Sequence, residues 1–336
     1  MRRQITLIDT TLRDGSHAVA HQFTLEQIAG ITRGLVQAGC KVIECGHGDG
    51  LLGSSIQYGF SRHNEMDGIR TVCENRGGAT VDVLLIPGIG TIEALERVRG
   101  FGVGMVRVAT HVTEADTGAE HIRHAKSVGM QGIGFLMMSH MRPPEDILRE
   151  AEKFASYGAD AVYLADSAGA MTPRDVEARI ALLVKELGIP VGFHAHNNLG
   201  LAIGNSLAAA EAGASYIDVT LRGLGAGAGN APHEVLAAVL DKLGVDTGES
   251  LYPLMDAAEE QVAPLAQMTI DKHALTIGYA GVYSSFFLHA KRAAERYGLD
   301  ARDILMELGR MHTIGGQEDM IIDAAYRMSH ERKQKA

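Results

Sequence analysis

"IDTTLRDGSHAVAHQF", residues 8–23, opens as a buried strand and then sets Arg13, Asp14, Ser16, His17 and His21 within nine residues. A packed core has no use for a cation, an anion and two imidazoles at a strand end, whereas a reaction centre has. The next stretch, "TLEQIAGITRGLVQAG" (24–39), has helical periodicity and ends on glycine, so the chain begins with a strand–helix unit. That unit recurs. After "ITLIDTT" (5–11) come apolar runs at "KVIECGH" (41–47), "VDVLLIP" (81–87), "MVRVAT" (105–110) and "GIGFLMM" (132–138). "AVYLADSA" (161–168), "VGFHAHN" (191–197) and "YIDVTLRG" (216–223) bring the number to eight. Helical stretches separate them, such as "PPEDILREAEKFASYGA" (143–159), which opens on prolines and acids and ends near Gly158.

Runs that do not alternate strictly fit strands covered on both faces, as in a parallel sheet. Eight strand–helix repeats in about 240 residues predict an α/β fold of the (β/α)8 TIM-barrel type, usually about 250 residues long. A doubly wound sheet is the alternative, but no G-x-G-x-x-G follows the first strand, and the nearest Gly-rich stretch, "GAGAGN" (225–230), follows the eighth run. From 251 onward helix follows helix: "LMDAAEEQVAPLAQ", "SSFFLHAKRAAERYG", "ARDILMELGR", "DMIIDAAYRMSHERK". The expected organisation is a catalytic barrel over 1–250 and a smaller all-helical C-terminal domain over 251–336, ending in a basic, frayed segment at Lys333–Ala336. No low-complexity linker separates the two, so the helical unit is expected to pack on the barrel.

Composition narrows the class. The 336 residues are 46% hydrophobic and 21% charged, ordinary for a soluble enzyme, with 40 glycines and no tryptophan. Net charge is -10 with no basic tract, which argues against nucleic acid as a partner. Cys40, Cys45 and Cys73 are too few and too irregular for a disulfide framework or zinc knuckle, and read as reduced thiols of a cytoplasmic protein. Met1–Gln4 runs straight into the first strand without a signal-peptide apolar region, and no apolar run approaches a membrane span.

In a barrel of this kind functional groups sit at the C-terminal ends of strands. Arg13, Asp14 and His17 follow strand 1, Glu44 and "HGDG" (47–50) strand 2, His111 strand 4, and Asp166 and Ser167 strand 6. Strand 7 carries His194 and His196, and strand 8 ends in Arg222. Residues i and i+2 of a strand point the same way, so His194 and His196 can reach one ion, with Asn197 and Asn198 supporting from behind. Asp14, on the strand expected to lie next to it once the barrel closes, completes two imidazoles and a carboxylate, a set that suits a divalent metal with open positions. An H-x-H pair can instead simply hydrogen-bond at a barrel rim; Asp14 and the rim context favour the metal. Arg13 suits a carboxylate or a developing enolate, or an ion pair with Glu44 or Asp14. His17 is placed to act as general base near neutral pH, while His21 has the weaker claim, since it leads into a helix and reads as helping to cap it. A metal, an arginine and a base describe chemistry at a carbon–carbon bond beside a 2-oxo acid carbonyl. No lysine ends a strand, which argues against imine chemistry.

"DTTLRDG" (9–15) with "HAHNN" (194–198) resembles the metal-dependent lyase barrels that include isopropylmalate and homocitrate synthases, hydroxymethylglutaryl-CoA lyase and the pyruvate carboxylase transferase domain. The finer resemblance is to the 4-hydroxy-2-oxovalerate aldolases. It runs through "HGDGL", "SSIQYGFS" (54–61), "ATHVTEAD" (109–116), "GFLMMSH" (134–140), "DSAGAMTP" (166–173), "GAGAGNAP" (225–232), "GYAGVYSSF" (278–286) and "GGQEDM" (315–320), nearly the whole chain. It implies retro-aldol cleavage of 4-hydroxy-2-oxopentanoate to pyruvate and acetaldehyde in meta-cleavage catabolism of aromatic compounds. It further implies Asp14, His194 and His196 as ligands of Mn2+, with Co2+ or Mg2+ as substitutes, and Arg13 as enolate stabiliser. By the same resemblance His17 takes the C4 hydroxyl proton, Ser167 contacts the substrate carboxylate, and Tyr283 donates a proton or orients the substrate. The resemblance also implies an acylating acetaldehyde dehydrogenase partner in a heterotetramer, docked through the helical unit, with a channel bordered by Gly315 and Gly316. Two departures stand out. Ala20 occupies a place that is often basic, and Ser16 stands where distant synthases often carry Glu, which favours the aldolase over the alternative, a Claisen-type acyl-CoA synthase.

Overall fold

The computed structural model describes residues 4–335. Met1–Arg3, and with them most of the expected leader-free N-terminus, lie outside the described residues, as does Ala336. Among the described residues eight parallel strands close into a barrel in sequence order. They are β1 (Thr6–Leu12), β2 (Val42–Cys45), β3 (Thr80–Leu85) and β4 (Met105–His111), then β5 (Gln131–Met137), β6 (Ala161–Asp166), β7 (Val191–Ala195) and β8 (Tyr216–Val219). The predicted α/β barrel is therefore present, and every apolar run named above contributes its strand. β1 pairs with both β2 and β8, which leaves no edge.

Both faces of each strand are buried, for the reason the non-alternating runs anticipated. Outward side chains such as Val81, Val83 and Leu85 meet the helices, while Leu84, Met105, Ala109, Phe135, Tyr163 and Ala165 fill the interior. Helix Leu25–Ala38 starts on a capping box, Thr24 with Gln27, and stops at Gly39 in the left-handed region (φ +89°). The cap is thus Thr24, not His21. Helix Pro144–Ser156 starts, as its prolines predict, on a preset first turn.

The helix Leu251–Ala257 and its continuation through Val262 belong to the barrel rather than to the C-terminal unit. Leu254, Ala257, Ala258 and Val262 join the barrel's outer core. Their approach depends on Gly34, where a Cβ would stand 2.8 Å from that of Ala257. A second core, built around Ile277, Phe286, Ile304, Leu308, Ile321 and Ala324, unites helices Lys272–Ala280, Phe287–Tyr297, Ala301–Arg310 and Glu318–Lys335. The last helix continues through most of the basic end expected to fray. Among the described residues no helix is long and apolar enough to cross a membrane.

A buried clasp ties the barrel's closing segment to β1. The His233 ring, fully buried, lies between Asp9 (Nδ1 to Oδ2, 2.8 Å) and Glu249 (Nε2 to Oε2, 2.8 Å). Burial opposes the imidazolium, but the two carboxylates outweigh it, Glu249 foremost, and push His233 up to about 10. A folded-state value above the ordinary 6.5 means the stabilisation is complete below pH ~6.5 and lost as pH rises through about 10. The melting temperature should therefore fall between pH 7 and 10.5 in the parent, and fall less in His233→Gln. Equal slopes in the two proteins would count against the clasp.

Candidate active site

β1 carries a register shift: Asp9 faces Ile43, yet Leu12 faces Cys45, so β1 holds one residue more than β2 across this step. Such a bulge re-aims the side chains that follow it. Here Arg13 and Asp14 turn into the barrel mouth, and a tight turn over Asp14–Val19 brings His17 beside them. A single cleft is lined by Arg13, Asp14, His17, Ser167, His194, His196 and Tyr283. All seven site residues expected from the sequence are brought together.

The donor atoms converge. Asp14 Oδ2 lies 3.2 Å from His194 Nε2 and 3.6 Å from His196 Nε2, and the two Nε2 atoms are 3.3 Å apart. His194 Nδ1 donates to Asp218 Oδ2 at 2.8 Å, which turns its Nε2 toward the other two donor atoms. Burial pushes His196 down to about 4, so that ring is neutral. At His194 burial is outweighed by the Asp14 and Asp218 carboxylates, which push the imidazole up, so a cation arriving there would displace its proton. For Asp14, burial opposes the charge, but Arg13 and the two histidines outweigh it and hold the carboxyl well below the usual range. Asp14 Oδ1 accepts from the Ala226 N–H at 3.1 Å. Two imidazoles and a carboxylate whose ligand atoms converge on one point fit a divalent cation, and the Asp218–His194 contact is the customary support for a metal-binding imidazole. Asp14 does not come from an adjacent strand as expected. β8 stands between β1 and β7, and Asp14 reaches across its end.

Arg13 makes both ion pairs foreseen for it. Nε donates to Glu44 Oε2 at 2.6 Å and Nη1 to Asp14 Oδ2 at 3.1 Å, with the Gly48 carbonyl at 3.3 Å. Its Nη2 is buried without a partner among the described residues, a donor left for something else. Ser167 Oγ accepts from the Met138 N–H at 3.0 Å, which leaves its own proton uncommitted. His17 rests on Gly48, where a Cβ would fall 2.3 Å from Nε2, so only glycine admits the ring. Tyr283, from the helical unit, lines both this cleft and a neighbouring cavity of about 260 Å³ that also contains Gly315 and Gly316. Burial, with Asp49 and Asp14 nearby, raises the Tyr283 phenol, which therefore keeps its proton at neutral pH.

Other rim charges have different places. Asp166 accepts the N–H groups of Ala170 and Met171 and so holds a loop. Arg222 pairs with Glu259 at the surface, and His111 faces the second cavity. His21 stacks on His47 with ring centres 3.8 Å apart.

Below the cleft lies a group the motif search missed. Arg107, fully buried, donates from Nε to Glu44 Oε1 (2.9 Å) and from Nη1 to Asp218 Oδ2 (2.5 Å). Asp82 Oδ2 is 2.9 Å from Arg107 Nε but off the N–H direction, so that contact is Coulombic only. Arg107 thus connects Glu44, which holds Arg13, with Asp218, which holds His194. The available signal was a charged residue inside each of four apolar runs, since an isolated buried charge is not tolerated.

Residues 4–260 match the HMGL-like family and residues 268–330 the DmpG-like communication domain. The 4-hydroxy-2-oxovalerate aldolase of Carboxydothermus hydrogenoformans is 59% identical over 99% of this chain and 100% of its own length. The 4-hydroxy-2-oxovalerate aldolase of Geobacillus stearothermophilus is 54% identical over 98% of this chain and 97% of that protein. Among solved structures, the carboxyl transferase domain of Rhizobium etli pyruvate carboxylase with oxamate and biotin superposes with a TM-score of 0.84 at 16% identity, over 98% of this chain and 61% of that one. That likeness is one of fold.

Proposed function

The chain belongs to the 4-hydroxy-2-oxovalerate aldolases, and from that premise we propose how its own residues perform the retro-aldol cleavage of 4-hydroxy-2-oxopentanoate to pyruvate and acetaldehyde. Asp14, His194 and His196 hold a divalent cation, Mn2+ by preference with Co2+ or Mg2+ as substitutes. Bound there, it supplies Lewis acidity to the oxygens of the 2-oxo acid. The observation that carries this reading is the meeting of three donor atoms 3.2 to 3.6 Å apart.

Arg13 Nη2, the donor without a partner, points its N–H at the C2 oxygen, where negative charge develops as the C3–C4 bond breaks. Glu44 and Asp14 fix the guanidinium, so no reorganisation is required when that charge appears. Ser167 turns its uncommitted O–H to the substrate carboxylate. His17 takes the C4 hydroxyl proton, the C3–C4 electrons pass to the C2–C3 enolate, and acetaldehyde leaves. Tyr283 then gives its phenolic proton to C3, completing pyruvate, and the proton held by His17 returns to the tyrosinate through water in the cleft.

The communication-domain match supports an acylating acetaldehyde dehydrogenase as partner, the two forming a heterotetramer. Tyr283 stands between the cleft and the cavity that holds Gly315 and Gly316, which supports passage of acetaldehyde that way. A cytoplasmic place in meta-cleavage catabolism follows from the same reading. The test is a coupled assay with the purified protein, Mn2+, 4-hydroxy-2-oxopentanoate, lactate dehydrogenase and NADH. NADH should be consumed, chelation should stop it, and added Mn2+ should restore it; absence of pyruvate with metal present overturns the proposal.

A further inference from the structure

His17, His21 and Asp49 each offer a ligand atom within 4.8 Å of the others'. Asp49 is 5% exposed, and among the described residues no donor reaches its carboxylate. His47 Nδ1, 3.6 Å from the carboxylate, is itself the acceptor of the Asp49 backbone N–H at 3.1 Å, so it brings no proton. A buried carboxylate without a donor beside two imidazoles is a place for a cation.

Both histidines can supply a lone pair. The Ser16 hydroxyl donates to the Arg13 carbonyl at 2.6 Å, so its oxygen accepts from His21 Nδ1–H at 3.0 Å. The lone pair of His21 is therefore on Nε2, and the Tyr58 carbonyl that also approaches the ring must give way to an ion there. Burial, reinforced by His17 and His47, pushes His21 down to about 2, so the ring stays neutral. The His17 ring makes no hydrogen bond among the described residues. All three side chains border one cavity of about 530 Å³, with space for water to fill the remaining coordination positions.

We propose that His17, His21 and Asp49 form a second divalent-cation site whose filling withdraws His17 from proton transfer. Two imidazoles and one carboxylate suit Zn2+, which binds N and O ligands more tightly than Mn2+. Zn2+ holds such ligands at about 2.0–2.2 Å, so the three atoms must draw together by on the order of an ångström. His17, unbonded and partly open to the cavity, is free to do so. The site itself stands apart from the proposed reaction; only the inhibition rests on the reading of His17 as base.

The experiment titrates Zn2+ into the Mn2+-loaded protein and reads bound metal by mass spectrometry alongside cleavage activity. The parent should hold two ions per chain, the second arriving as activity is lost. Asp49→Asn and His21→Gln should bind one ion, and their inhibition midpoint should rise by about tenfold or more. Their activity in Mn2+ alone, and their melting temperatures, should stay near the parent's. A parent that binds a single ion throughout overturns the site, and so does an Asp49→Asn protein that still binds two. Two bound ions with undiminished cleavage would keep the site and remove His17 from the role of base.

Discussion

His194→Ala should lose metal binding and cleavage together, whereas His17→Ala should keep the metal and lose about 10²- to 10⁴-fold in kcat, the usual size of a general-base contribution. The split follows from position. His194 Nε2 faces Asp14 and His196, and its removal also leaves Asp218 with only Arg107 as partner. His17 lies outside the converging donors, on the turn that follows Asp14. Mn2+ affinity by calorimetry and pyruvate release in the coupled assay read the two effects separately. Equal loss of metal in both variants would refute the division of roles.

Arg107→Met should be the most destabilising single change in the barrel, costing about 3–5 kcal/mol, the range for removing one partner of a buried ion pair. The substitution leaves Glu44 with Arg13 and Asp218 with His194 as their remaining partners, in an interior almost without solvent. Asp82 already avoids its share of that penalty: burial pushes its carboxyl well above the usual range, with Glu44 and Asp218 adding to the shift against Arg107. Asp218 differs, because Arg107 and His194 outweigh its burial and hold it low. Chemical denaturation measures the loss. Arg107→Met combined with Asp218→Asn should recover part of it, since one buried negative charge is then gone. A double variant no more stable than the single one would show that the cost lies in packing over Phe135 and Tyr163, 5.1 and 5.2 Å from the guanidinium, rather than in charge.

The fold was legible because it is written in local terms. Each β/α unit carries its own apolar run, cap and stop, and eight such units with short connections leave the chain few ways to close. The spacing of His194 and His196 was legible for the same reason, since an i, i+2 pair on a strand shares a face whatever else the molecule does. The role of Ser16 and the environment of His21 were not, because they depend on which carbonyl spends the Ser16 proton and which ring lies on top. The packing of the helix that follows residue 250 was not legible for a related reason. Leu251–Ala257 has a helix pattern like those after it, and its packing, with Leu254 in the outer core and Ala257 against Gly34, lays it on the barrel.

By itself, the sequence determined the strand–helix repeat, the strand ends as the place of chemistry, and the residue types suited to a 2-oxo acid on a metal. Tertiary structure decided which charges meet. Arg107 and Asp218 are 111 residues apart and His233 and Asp9 224 apart, pairings that exist only because β1 closes on β8 and the strand interiors share one small volume. Periodicity reports which face a residue occupies, but it carries no information on which distant residue occupies the opposite wall. Closure supplies that, and a low-dielectric interior then makes each buried charge choose a partner. The same closure left Asp49 without a donor beside His17 and His21.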